Sequence, residues 1–328
     1  MLDPYELRGH VAMRTRPAPP FTPIMAHSAS SPRLVHALSL DVEDYVHAHA
    51  LEPWIGSARW ADWPSRVEES TARVLDLVEA CGGRLTCFVL GWVAERHPGL
   101  VREIARRGHE IATHGYAHRL VYTQTPAQFR SDVERSRDLL QDLTGQPVVG
   151  YRAPSFSITR QCWWALEVLL DLGFRYDSSI VPITGHDRYG VRHAPAVPWR
   201  YGSLWEIPIS TIAIGRLRLP LGGGAYFRFF PYWLTRWGLS QLERRGRPAV
   251  LYFHPWEFDP DQPRVPAAFL SRLRHYTNLH QTAGRFTRLC QEFAFAPFSQ
   301  VFAALFAGEE DAYLSGDSGR TTLSAPRG

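Results

Sequence analysis

Lysine is absent from this chain. All 36 basic side chains are arginines, set against 32 carboxylates, for a net charge of +4. The arginines are scattered through the sequence, which argues against a nucleic-acid surface and for genome composition as the source of the bias. Cysteine is scarce: Cys81, Cys87, Cys162 and Cys290 form no CxxC pair and no zinc-ribbon spacing, so they read as buried free thiols of a reducing compartment. No run of about 18 apolar residues occurs, so no membrane-spanning helix is expected. Residues 1–33 are proline-rich and polar where a secretory segment needs an apolar centre, and the expected location is cytoplasmic. What remains, at 45% hydrophobic and 21% charged residues, is a globular composition.

Residues 1–33 read as a disordered extension and 308–328 as a disordered tail, both without hydrophobic periodicity. Between them apolar strands alternate with helices. Strands are expected at 34–40, 85–90, 110–113, 148–151, 174–176, 204–208 and 249–253, with a long irregular loop over 181–203. Thr125-Pro126-Ala127-Gln128 has the cap, first-position proline and third-position glutamine of a helix start. Gly222-Gly223-Gly224 lacks the following Lys-Ser/Thr of a phosphate loop and reads as a flexible connection. Strand–helix alternation implies βαβ units and a parallel sheet, the arrangement of a β/α barrel.

Several of these strands end in residues of catalytic type: Asp41, His114, Arg152, Asp177 and His254. In a β/α barrel those ends share one face. His114 and His118 are four apart, so a helical turn after Thr113 would direct both imidazoles at one ion. A carboxylate from Asp41-Val42-Glu43 would complete a facial three-ligand site, leaving the other free as a base. Arg152 at a neighbouring strand end would hold a carboxylate ionised, and Asp177 facing His254 would raise the imidazole pKa. Tyr189, Trp199, Trp205, Tyr226, Tyr232 and Trp256 are candidates for stacking on sugar faces.

The five segments Asp41-Val-Glu-Asp44, His114-Gly-Tyr-Ala-His118, Arg152-Ala-Pro-Ser-Phe156, Asp177-Ser-Ser179 and Leu251-Tyr-Phe-His254, in this order, resemble the motifs of the NodB-type polysaccharide deacetylases, carbohydrate esterase family 4. Asp41-Val-Glu-Asp-Tyr45, Tyr252-Phe-His-Pro-Trp-Glu257 and Arg274-His-Tyr-Thr-Asn278 resemble the subgroup of exosortase/PEP-CTERM exopolysaccharide loci. The resemblance implies a distorted (β/α) barrel over 34–307 whose last part, from 263, is the subgroup's C-terminal helical extension. The resemblance implies Asp41 as general base tethered by Arg152, and His254 as general acid tuned by Asp177. It also implies one divalent ion, zinc by expectation, on His114, His118 and Glu43 or Asp44, with Glu43 favoured. The Ser155 backbone N–H would be the oxyanion donor, and Trp205 and Trp256 would contact substrate. The implied reaction is hydrolysis of N-acetyl groups on an exopolysaccharide or its lipid-linked precursor, at or near membrane-bound machinery on the inner membrane face. A glycosidase using Glu206 and Glu257 and a non-catalytic glycan-binding protein are the alternatives.

Overall fold

The computed structural model describes residues 34–183, 189–215 and 217–308. The expected disordered segments, 1–33 and 308–328, lie outside the described residues except for Gly308. The strands are β1 (Val35–Val42), β2 (Thr86–Val89), β3 (Glu110–Thr113), β4 (Gly150–Tyr151), β5 (Tyr176–Asp177), β6 (Trp199–Tyr201), β7 (Leu204–Glu206), β8 (Thr211–Ile214), β9 (Leu217–Pro220), β10 (Val250–Phe253) and β11 (Ala294–Ala296). The main sheet runs β10-β1-β2-β3-β4-β5-β7-β6, with β11 also on β1. Its pairs are parallel except for β6 against β7. The curl nearly closes: Ser210 N–H donates to the Val250 carbonyl at 3.1 Å and Val250 N–H to Ser210 Oγ at 2.8 Å. This is a distorted barrel with an added C-terminal helical region.

Strand alternation decides which side chains meet. On β1, Leu38, Leu40 and Val42 join the outer core with Val74, Leu75 and Val78 of the helix Val67–Glu79. Ala37 packs in the interior with Phe88, Ala112, Tyr176 and Tyr252. Ser39 and Asp41 share its alternation, and both meet the interior guanidinium of Arg152. Being buried on both faces is why these strands read as continuous apolar runs.

The helix Pro126–Thr144 begins as its sequence predicts: Gln128 N–H donates to Thr125 Oγ1 and Thr125 N–H to Gln128 Oε1. The C-terminal segment does two jobs. Phe286 and Leu289 of the helix Leu279–Glu292 enter the outer core. Phe298, Phe302 and Leu305 fill the barrel interior, where Phe298 stacks on Tyr176 and its N–H donates to Thr86 Oγ1 at 2.9 Å. Thr86 begins β2, so this plug occupies the end of the barrel opposite the catalytic-type residues.

Two local expectations are corrected, and one hairpin is added. The loop expected over 181–203 contains β6, and the hairpin β8–β9 was not legible, because both are short strands whose pairing partners supply their stability. The triple glycine is a packed element, not a flexible connection. Gly223 has φ 109°, and a Cβ there would meet Tyr252 ring atoms at 2.3 Å, so only glycine lets this backbone lie against β10.

Candidate active site

The C-terminal strand ends converge on a cavity of about 460 Å³ lined by Asp41, Glu43, His114, His118, Ser155 and His254 among others. Glu43, His114 and His118 each offer a ligand atom, all within 4.8 Å of one another. Glu43 Oε2 lies 2.7 Å from His118 Nε2 and 4.0 Å from His114 Nε2. Asp44 is directed elsewhere: its carboxylate accepts from Tyr45 N–H, Ser65 Oγ and Arg66 N–H, capping a short turn.

The histidines do not converge through a helix, as their spacing suggested. After β3 the chain turns through Gly115 at φ 71° and His118 at φ 51°. Asp132, on the helix Pro126–Thr144, holds that turn by accepting from Tyr116 N–H at 2.7 Å and Ala117 N–H at 3.1 Å. A side chain at Gly115 would approach Asp132 Oδ2 at 2.9 Å, so the glycine serves the turn. Asp132 escaped the sequence reading because a lone aspartate on an amphipathic helix resembles any solvated residue.

The three donors suit a divalent cation chemically. His114 Nδ1 sits 2.9 Å from the Arg152 carbonyl oxygen, which can only accept, so the proton is on Nδ1 and the Nε2 lone pair faces the cluster. Burial lowers the His114 pKa to about 4, keeping the ring neutral as a ligand must be. Burial works against ionised Glu43, but the His118 imidazole, and then His254 and His114, hold it well below the usual carboxylate range. Its other oxygen accepts from Trp256 Nε1 at 3.2 Å. An anionic carboxylate, two imidazoles and an outer shell of hydrogen bonds form a borderline-metal donor set.

Beside it stands a second carboxylate in a different electrostatic setting. Arg152 is wholly buried, and its Nη1 donates to Asp41 Oδ1 at 2.6 Å and to Ser39 Oγ at 2.7 Å. Its Nε and Nη2 donate to the Ser178 carbonyl and hydroxyl. The guanidinium also lies 4.0 Å from the Phe88 ring centroid. Asp41 therefore has one oxygen tied to a fixed cation, while Oδ2 points toward His254 Nε2 at 3.9 Å.

His254 has a partner other than the expected one. Its Nδ1 donates to Glu257 Oε1 at 2.8 Å, and its backbone N–H reaches the same oxygen at 3.0 Å. Glu257 Oε2 accepts from the buried Arg228 Nε at 3.0 Å. Burial disfavours the imidazolium, yet the Glu257 hydrogen bond and the charges of Glu43, Glu257 and Asp41 outweigh it and push the His254 pKa up to about 9. Asp177 does not face His254. It accepts from Ser179 Oγ and pairs with Glu206, its register neighbour on β7. Burial raises Asp177 to about 6 and Glu206 well above the usual carboxylate value, so the two share a proton. Glu257 lies three residues beyond His254, and Glu-three-after-His at a turn is the signal that would have found it.

Ser155 reaches the cavity on a turn in which both it and Phe156 have φ 53°. Left-handed backbone costs roughly 1–2 kcal/mol per residue, strain of the kind concentrated at functional sites. Of the aromatic candidates, Tyr189, Tyr226 and Trp256 line the cavity. Trp205, expected at the substrate, is buried in the barrel interior among Tyr176, Ile207 and Phe156 and is not on the cavity wall, and Trp199, on the opposite face of the β6–β7 pair, stacks on Trp163. Glu206 and Glu257 are both fully buried and absent from the cavity wall, so the glycosidase pair does not form. Among the described residues no helix is long and apolar enough to cross a membrane.

Residues 60–176 match the polysaccharide deacetylase family model, and residues 178–303 match a domain of unknown function, DUF3473. A peptidoglycan deacetylase of Helicobacter pylori is 30% identical over 148 residues, 42% of this chain and 48% of that protein. A peptidoglycan-N-acetylglucosamine deacetylase of Bacillus cereus is 31% identical over 100 residues, 30% of this chain and 36% of that protein. The matched region thus spans about half or less of these relatives. The fold is that of a Mycobacterium smegmatis protein assigned to the polysaccharide deacetylases, at TM-score 0.59 and 21% identity, covering 92% of this chain and 98% of the other.

Proposed function

We propose that this chain, a homologue of the polysaccharide deacetylases by family model and by curated relatives, hydrolyses the N-acetyl group of an aminosugar within a polysaccharide or its lipid-linked precursor. The observation that carries this reading is one cavity bordered by a Glu43–His114–His118 donor set, an arginine-tethered Asp41 and a carboxylate-backed His254. The motif resemblance extends the proposal to an exopolysaccharide substrate at membrane-bound machinery.

Glu43, His114 and His118 would hold a divalent cation, zinc by the softness of two imidazoles and one carboxylate. When bound there it supplies Lewis acidity toward the reacting oxygens. Asp41, whose Oδ1 is tied to Arg152, takes the proton of the attacking water on Oδ2. Ser155 lines the cavity, where its backbone N–H would donate to the developing oxyanion, a contribution of roughly 3 kcal/mol. His254 Nε2–H, made acidic enough to give and basic enough to hold its proton near neutrality, protonates the departing amine. Tyr189, Tyr226 and Trp256 provide faces for the sugar.

The test couples acetate release from N-acetylglucosamine oligomers to elemental analysis. Asp41→Asn and His254→Ala should each abolish release with metal content near that of the unaltered protein, whereas His114→Ala should lose the metal. Undiminished release in both of the first two variants would refute the roles. Glycan binding without acetate release by the metal-loaded protein would favour the non-catalytic reading.

A further inference from the structure

One rim of the cavity carries apolar side chains that no part of the described chain covers. Phe229 and Phe230 line the cavity, and the helix Tyr232–Glu243 follows directly, exposing Trp233 (64%) and Trp237 one turn apart. The helix Phe269–Tyr276 contributes Arg274 and His275 to the same wall and exposes Phe269 (73%), Leu270 (74%) and Leu273. Positions 269, 270 and 273 fall on one helical face. Arg228 and Asn278 lock the two sides together. Arg228 donates to the carbonyls of Arg274, His275 and Thr277, and Asn278 Nδ2 donates to the Arg228 carbonyl at 2.9 Å.

Charge distinguishes this rim from the rest of the molecule. Across residues 262–291 there are five arginines (264, 272, 274, 285 and 288) and no aspartate or glutamate, in a chain whose charges otherwise nearly balance. Arg272 and Arg274 flank the apolar face, and among the described residues neither forms an ion pair with a carboxylate. A carbohydrate platform would present flat aromatic faces, and Leu270 and Leu273 have none. Exposed Trp, Phe and Leu beside unpaired arginines match the boundary between anionic headgroups and acyl chains.

We propose that this rim docks the protein on an anionic lipid bilayer. Phe269, Leu270 and Trp233 enter the headgroup–acyl boundary, Arg272 contacts lipid phosphate, and the cavity mouth faces the membrane surface. The docking stands on surface chemistry and does not require the deacetylase reading. Joined to that reading, it would present the cavity to aminosugars carried on lipid.

The experiment is co-sedimentation of the full chain with phosphatidylglycerol-rich vesicles and with pure phosphatidylcholine vesicles. The expected result is binding to the anionic vesicles, weakened by salt, and weakened about tenfold or more in Phe269→Ser/Leu270→Ser because affinity scales with buried apolar area. Arg272→Gln should weaken it further. These exposed changes should leave circular dichroism and acetate release from a soluble oligomer as in the unaltered protein, which separates loss of docking from loss of fold or chemistry. Failure to sediment with anionic vesicles, equal binding to neutral ones, or unchanged binding by the double variant would overturn the proposal. So would a concentration-dependent dimer, seen by sedimentation velocity and abolished by the double variant, since a second copy would then cover the face.

Discussion

Replacing Glu257 by glutamine tests whether His254 owes its acidity to the carboxylate behind it. The change keeps side-chain size and removes one buried charge, whose hydrogen bond is foremost among the influences that raise the imidazole. At a pKa of about 9 His254 is about nine-tenths protonated at pH 8, whereas at an ordinary imidazole value of about 6.5 only about 3% would be. If turnover needs the imidazolium, Glu257→Gln therefore costs about thirtyfold at pH 8 and less than about twofold at pH 6. The sign follows from the direction of the shift: a raised pKa keeps the proton on through neutral pH, so its loss is felt first on the alkaline side. Initial rates of acetate release across that range would read the change as a displaced alkaline limb. Arg228 Nε–H would meet an amide in place of a carboxylate, so thermal unfolding accompanies the kinetics. A rate loss equal at all pH values would refute the reasoning, because a purely structural role would not follow the protonation curve.

Arg152→Gln should destabilise the fold by about 3–5 kcal/mol, since it strands Asp41 as an unpaired buried charge; urea denaturation measures it. Glu206→Gln should be stabilising above neutral pH and nearly neutral at pH 4. A carboxyl whose folded pKa is raised binds its proton more tightly folded than unfolded, so it costs stability once the unfolded chain ionises, and the amide escapes that cost while still donating to Asp177; melting temperatures across pH would show the difference. Trp205→Phe should lower the melting temperature and leave the KM for glycan unchanged, because its ring lies in the interior core. Trp256→Phe should reduce turnover, because it removes the Nε1–H donor to Glu43 from a ring stacked between His254 and His275.

The barrel was legible because its strands are buried on both faces and its helices are punctuated by proline, glycine or, at Pro126–Thr144, a capping box, so period and punctuation suffice to name them. Asp41, Arg152, His114 and His254 were legible because each sits at or directly after the C-terminal end of an apolar strand, and parallel strands bring those ends to one side. Partnerships across the barrel were less accessible. Asp177 and Glu257 are both carboxylates near the right strand ends, and apart from the three-residue spacing of Glu257 from His254 their local sequence does not separate them. The pairing is decided by β5 lying against β7, which commits Asp177 to Glu206, and by the tight turn after β10, which folds Glu257 back onto the imidazole. Trp205 and Trp256 divide in the same way, one turned into the barrel interior and the other onto the cavity.

The sequence by itself determined the alternation of strands and helices, the residue types at the strand ends and the histidine pair, since these depend on local periodicity and on what each side chain can do. The tertiary structure decided which carboxylate, Glu43 or Asp44, stands beside the histidines, and that a turn pinned by Asp132 brings His118 to His114. It also decided that Arg228 and Glu257 support His254. Those choices are settled by contacts between segments up to about two hundred residues apart, where register and burial, not local preference, select the partner.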